Sequence, residues 1–546
     1  MALKPIDEVA AELGLGQEDW EPFGRLVAKV SPKVLERPRS RPGNGRLVLV
    51  SAITPTPAGE GKTTTSIGLA QGLRRMGQSA ALALREPSLG PCLGIKGGAI
   101  GGGASTIQPA DRINLHFTGD FHAITTANNL LAAAVDNHLY WGNKLGIDPR
   151  RILWRRCLDM NDRALRRAVI GLGGPKQGVP RETGFDITAA SEVMAILCLA
   201  ENGDDLRARI DRTLIGFTYE GAPVTARDLG VSGAMVALLA DALKPNLVQS
   251  VEGVPAFVHG GPFANIAHGC NSVIATRLAL QVADWAVTEA GFAFDLGAEK
   301  FFDIKCRAAG LDTAAVVLVA TIRALKYHGG ANLDQLGATD PKRVASGLPN
   351  LEKHIENIMH FGEQPIVALN RFGTDSDDEI EIVRARCEEL GVPFAVSDHF
   401  ARGGEGSLEL AQAVIDFAEK EHKPFHPLYE LDATIPDKIY QVASKMYGAR
   451  QVIMTKEAQR DLEDVRRLGY EQLPICIAKT QNSLSDDPKL RGRPLDFEVT
   501  VRELRINSGA GFVVVLTGDI LRMPGLPRKP LAESLDLVDG EIVGLL

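Results

Sequence analysis

No two cysteines in this chain are spaced C-x-x-C. The seven thiols stand at 92, 157, 198, 270, 306, 387 and 476, a scatter that excludes zinc knuckles and thioredoxin-like motifs. An odd, dispersed set reads as reduced thiols, so a cytoplasmic protein is expected. No apolar run approaches the roughly 20 residues that span a bilayer, and the opening MALKPIDEVAAELGL has no apolar signal core; no membrane partner is expected. Positive charge is not in excess either. Sixty Lys and Arg against 68 Asp and Glu leave a net charge of −8, which argues against the basic face of a nucleic-acid binder. There is no fixed-period repeat, no low-complexity tract, and no Cys/His or Ser/His constellation for a protein nucleophile.

Glycine, by contrast, is plentiful, at 56 residues, which predicts many tight turns and close backbone approaches. With 546 residues the chain is too long for one core. The most informative stretch is TPTPAGEGKTTT, residues 54–65. An apolar run, Leu47 to Ile53, precedes it, and Ile67, Ala70, Leu73 and Met76 follow at helical spacing with Gly77 placed as a cap. Strand, glycine loop, lysine and helix N-terminus together form a phosphate cradle, with backbone N–H groups and the helix dipole favouring negative charge. The expected ATP-binding residues are Thr54, Pro55, Thr56, Pro57, Ala58, Gly59, Glu60, Gly61, Lys62, Thr63 and Thr64. Lys62 is expected at the β/γ-phosphates, and the Thr63 or Thr64 hydroxyl at Mg²⁺ brought with ATP. Thr56 occupies the place of the first glycine of GxxxxGK[ST], so the loop departs from the common pattern.

Further β-like runs are 80–84, 256–259, 314–320, 366–369, 394–397, 475–479, 497–504 and 512–516, with helical stretches between most of them. The alternation predicts a multi-domain α/β protein: a P-loop NTPase-like, largely parallel sheet in a major domain, plus two smaller α/β domains. Turn-rich segments place the boundaries near 350 and 450, giving domains 1–350, 351–450 and 451–546. The Pro/Arg-rich ERPRSRPGNGR connector near residue 40 reads as a solvated surface loop.

Directly after the run 80–84 come Arg85 and Glu86, at a strand's carboxyl end expected beside the P-loop strand, where an open parallel sheet binds ligands. A guanidinium there can fork onto a carboxylate or phosphoryl oxygen. KGGAIGGGAS, residues 96–105, is read as a flexible lid or a close-approach surface. Asp120, flanked by His116 and His122, is a candidate for Mg²⁺ ligation or water positioning; each histidine alone reads better as a satisfied structural residue. His259 and His268 are expected to line the cleft or simply to pack. Two further strand ends are followed by Asn370-Arg371-Phe372 and by Asp398-His399-Phe400. Each puts an aromatic where a flat ring can be sandwiched.

Taken together, TPTPAGEGKTTT, REPSLGPCLGIKGG (85–98), NLHFTGDFHAI (114–124), VHGGPFANIAHGCNS (258–272), GLPNLEKHIENI (347–358) and MPGLP (523–527) closely resemble the formate–tetrahydrofolate ligase family. The resemblance implies that ATP, formate and tetrahydrofolate give 10-formyltetrahydrofolate, ADP and phosphate through formyl phosphate. It implies catalytic roles for Arg85, which matches the arginine holding formate, and for Lys62 and Asp120, and pterin stacking on Phe372 and Phe400. It also implies a homotetramer and a monovalent cation, K⁺ or NH₄⁺. Phe400 stands where the family pattern has tryptophan, and Gly373 where it has proline. The rival reading from the residues alone is a P-loop switch whose hydrolysis drives partner binding.

Overall fold

The computed structural model describes residues 3–39, 41, 43–94, 100–420, 423–518 and 520–545. Residues 95–99 of the glycine run thus lie outside the described part. Seven parallel strands form the centre: β1 Arg46–Ala52, β2 Ala80–Leu84, β3 Pro255–Val258, β4 Trp285–Glu289, β5 Ala315–Ala320, β6 Pro365–Asn370 and β7 Phe394–Ser397. Their spatial order is β3-β2-β4-β1-β5-β6-β7, and every neighbouring pair is parallel. Antiparallel strands, including Asn246–Ser250 and the short Trp20–Pro22 and Ala28–Val30, continue the sheet beyond β3.

The run Leu47–Ile53 is continuously apolar because both faces of β1 are covered. Leu47 and Leu49 join the core on one face, Val48 and Val50 the core on the other. This is the pattern of a buried parallel strand. Helix α1, Lys62–Arg75, lays Ile67, Leu69, Ala70 and Leu73 against that second core, each large aliphatic contributing about 1.5–3 kcal/mol on burial. Gly77, at φ +80°, ends it just past the last turn.

Three expectations change. First, the main sheet does not stop at 350: β6 and β7 lie beyond it, β6 paired in register with β5 and β7 with β6, so the sheet runs on to about residue 397. A separate four-stranded sheet begins at Gln451, built from β8 Gln451–Met454, β9 Ile475–Ala478, β10 Glu498–Asn507 and β11 Phe512–Thr517. Second, β4 stands between β1 and β2, so Arg85 is not on the strand next to the P-loop. Third, the basic connector is not merely solvated. Arg39 donates to the backbone carbonyls of Leu280 (2.9 Å) and Ala283 (2.7 Å), and both Arg39 and Arg41 pair with Asp284 at the foot of β4.

Candidate functional site

The carboxyl ends of β1, β2, β4, β5, β6 and β7 converge on TPTPAGEGKTTT. Gly59 and Gly61 take left-handed φ of +84° and +76°, conformations that favour glycine. Gly61 is the N-cap of α1, so no threonine side chain caps this helix. The loop is held from inside. The Glu60 carboxylate accepts the Thr56 N–H (2.7 Å) and the hydroxyl of Thr321, just after β5. Burial raises its pKa, opposed by these hydrogen bonds and by the Lys62 charge. Thr54 is buried: its hydroxyl lies 3.0 Å from both Asn350 Nδ2 and His354 Nε2, and its carbonyl accepts from His328 Nε2 at 2.8 Å. Burial lowers both histidines to a pKa of about 4, leaving neutral rings as partners. Thr54, Thr56 and Glu60 therefore brace the loop. Pro57 and Ala58 are exposed, and Lys62, Thr63 and Thr64 half-buried, so the open side of the cradle carries the lysine and two hydroxyls.

Arg85 reaches this cradle through a residue that motif reading missed. Glu289, the last residue of β4, is 1 % exposed. Its Oε2 accepts the Thr63 hydroxyl at 2.8 Å, and its Oε1 accepts Arg85 Nη2 at 3.3 Å. Arg85 Nε is buried without a hydrogen-bond partner among the described residues. Gly291 makes room for the guanidinium, since a Cβ there would lie 2.8 Å from Arg85 Nη1. The strand WAVTE has only three apolar residues before Thr288, too few to stand out as a buried run; its terminal acid was the available signal.

Asp120 is placed differently from the expectation of a metal ligand. It opens helix α2, Asp120–Tyr140, and is 2 % exposed. Lys29 Nζ donates to Oδ1 at 2.5 Å and Asn246 Nδ2 to Oδ2 at 2.8 Å. It is half of a buried ion pair. Burial first, and the Asp120 charge second, push the neighbouring Glu86 well above the usual carboxyl range. His116 and His122 are both exposed, and His122 Nε2 lies 3.5 Å from Thr126 Oγ1. His259 packs, with Nδ1 2.7 Å from Ser272 Oγ and Nε2 2.5 Å from the Ala242 carbonyl; His268 is fully buried against Phe512.

The two aromatic loops leave neighbouring strands side by side, since Asn370 pairs with Ser397. Both are tied to the loop 54–61 and the helix that follows it. Asn370 Nδ2 donates to the Glu60 carbonyl at 3.1 Å and sits where a Gly61 Cβ would intrude. His399 Nε2 lies 3.3 Å from Thr65 Oγ1, and a Cβ on Gly68 would overlap the His399 side chain. Phe372 is half-buried with Arg323 4.1 Å above its ring. Phe400 is 53 % exposed. Its carbonyl accepts the Ala104 N–H at 2.8 Å, and a Cβ on Gly102 would lie 3.0 Å from its ring. The described part of the glycine run is thus a close-approach surface for the Phe400 loop.

Two predictions arise from these loops. The resemblance implies pterin stacking on Phe400, whose side chain is largely exposed, so Phe400→Trp is expected to leave the KM for tetrahydrofolate unchanged or to lower it; a tenfold rise in steady-state assays would remove Phe400 from that slot. His399 is held neutral, its pKa lowered by burial to about 4. A base so depressed contributes stability above its unfolded value near 6.5, which is lost as pH falls through about 4. Wild type minus His399→Gln, compared by urea unfolding, therefore declines between pH 6.5 and 4; a flat difference contradicts it.

The family model described as formate–tetrahydrofolate ligase matches residues 1–546. A curated formate–tetrahydrofolate ligase from Symbiobacterium thermophilum is 57 % identical over 545 residues, covering 100 % of this chain and 98 % of that protein. The chain belongs to the formate–tetrahydrofolate ligase family.

Proposed function

We propose that this chain ligates formate to tetrahydrofolate at the expense of ATP, through formyl phosphate, in a P-loop NTPase-like site. The observation that carries this is the continuous link Lys62–Thr63–Glu289–Arg85, which sets a phosphate cradle beside a guanidinium. A formate oxygen attacks the γ-phosphorus, the bond to ADP breaks, and formyl phosphate forms. Little covalent chemistry is asked of the protein in such a step; positioning and charge neutralisation dominate. Lys62 supplies charge at the transferred phosphoryl group, the loop 54–64 holds the triphosphate, and Arg85 holds formate. The Thr63 hydroxyl, with Thr64 beside it, offers the hard oxygen Mg²⁺ takes when it arrives with ATP. The N10 lone pair of the folate, stacked between Phe372 and Phe400, then attacks the formyl carbon. Arg85 stabilises the oxyanion, phosphate leaves, and N10 gives up its proton.

Asp120 acts in this scheme by fixing Lys29 and α2 rather than by touching substrate. The monovalent cation takes oxygen ligands; Glu86 Oε2, buried without a hydrogen-bond partner among the described residues, is such an oxygen, although burial and the Asp120 charge oppose its ionised form. Homotetramer assembly and a cytoplasmic setting complete the reading. Supporting the latter, all seven cysteines are buried free thiols, and among the described residues no helix is long and apolar enough to cross a membrane.

The test is direct. Incubation with Mg-ATP, formate and tetrahydrofolate, followed by acid, yields the absorbance of the methenyl derivative. ATP hydrolysis indifferent to formate and folate would instead identify a P-loop switch.

A further inference from the structure

Glu289 occupies an unusual position for a buried acid. Its two oxygens point at the two halves of the site, one at the P-loop threonine and one at the arginine. Arg85 is half-used: Nη2 meets Glu289 at a long 3.3 Å, while the adjacent Nε is buried and unpartnered among the described residues. Nε and Nη2 form one edge of the guanidinium, the edge a planar carboxylate takes with two parallel hydrogen bonds. The protein's own carboxylate holds one of those two arms.

We propose that Glu289 is a positioning residue that couples nucleotide binding to formate binding by competing for Arg85 until Mg-nucleotide draws it away. The inference rests on the ligase reading above. When the Thr63 oxygen accepts Mg²⁺, its hydroxyl proton becomes more acidic, and the hydrogen bond to Glu289 Oε2 strengthens as a charge-assisted bond. A divalent cation also attracts the carboxylate with twice the charge that Arg85 presents. Both effects pull Glu289 towards the phosphates and weaken the contact that is already the longer of its two. The freed edge of Arg85 then takes formate through Nε and Nη2. The same motion keeps formate off a site that holds no ATP.

The experiment is a titration of ¹³C-formate, followed by its transverse relaxation, with and without Mg²⁺ and the β,γ-methylene analogue of ATP. Wild type is expected to bind formate at least fivefold more tightly with the nucleotide. Glu289→Gln removes the competing charge: it is expected to bind formate without nucleotide within twofold of loaded wild type, and to respond to nucleotide by less than twofold. A merely structural role would weaken formate binding in both conditions. A weaker nucleotide-free affinity, or a retained fivefold response, overturns the proposal. If Glu289→Gln does not fold, Thr63→Val serves. It removes the hydroxyl that links Mg²⁺ to Glu289 and leaves only the direct pull of the cation, so the response of formate binding to nucleotide falls below the fivefold of wild type even when a fluorescent nucleotide reports occupancy; an undiminished response there overturns the proposal equally. Wild type that binds formate without any nucleotide response refutes the coupling alone. Wild type that binds no formate in either condition refutes the ligase reading itself.

Discussion

Arg85→Glu abolishes formyl transfer, lowering kcat/KM for formate by at least about a thousandfold, in the range seen when a charge-stabilising group is removed from acyl or phosphoryl transfer. Two changes combine. The cation proposed to grip formate and the later oxyanion is gone, and a second carboxylate stands against Glu289, which is 1 % exposed. The side chain lies at a strand's end rather than in either apolar core, so far-ultraviolet circular dichroism is expected to match wild type. Arg85→Lys keeps the charge but not the fork, and it recovers only part of the loss. Full activity in the glutamate variant would remove Arg85 from the chemistry. An unfolded variant would show in the dichroism and shift the test to Arg85→Lys.

Asp295→Ala destabilises the protein by about 3–5 kcal/mol, the cost of stranding one partner of a buried ion pair. Lys479 Nζ lies 2.9 Å from Asp295 Oδ2, and both side chains are almost wholly buried. Lys479 directly follows β9 of the second sheet, while Asp295 sits on a π-type helical turn, Phe294–Ala298, just beyond β4. The pair therefore fastens the C-terminal sheet to the segment behind the site. Gly297 of that turn packs on the backbone of Gly291, which in turn faces Arg85, so loss of activity is expected before loss of fold. Guanidinium unfolding read by tryptophan fluorescence measures the first effect. Asp295→Leu combined with Lys479→Met restores most of the stability, because two apolar groups of similar volume leave no charge unpaired. A single variant within 1 kcal/mol of wild type would show that water reaches Lys479.

The parts legible in the sequence were local. Strand, glycine loop and helix follow one another in TPTPAGEGKTTT and its flanks, and period and turn chemistry act over a dozen residues. The burial of Leu47 to Ile53 was legible for the same reason. Strand order was not. The strand WAVTE reaches its place between β1 and β2 from some 230 residues further along, and nothing near residue 85 announces it. Hence Arg85 was correctly sensed at a strand end and wrongly seated beside the P-loop strand. The passage of the main sheet beyond 350 was hidden similarly: HGGANLDQLGATDPKRVASG is turn-rich, but a loop between helices and a loop between domains share one composition. Asp120 reads as a group for Mg²⁺ ligation or water positioning because an acid amid histidines is chemically suggestive, and its ion pair is not visible from there. Its partner Lys29 lies 91 residues upstream in a strand too short to recognise.

The frame of the phosphate loop has a consequence in time. Its bracing contacts come from Thr321, Asn350 and Asn370, which are 261, 296 and 310 residues away from the groups they hold. A nascent chain of 300 residues already carries the whole TPTPAGEGKTTT motif and none of those three side chains. Contacts so distant form late, after their loop-closure entropy has been met. The loop is thus expected to take its braced shape only once translation has passed β6, by which point Arg85 and Glu289 have long been made.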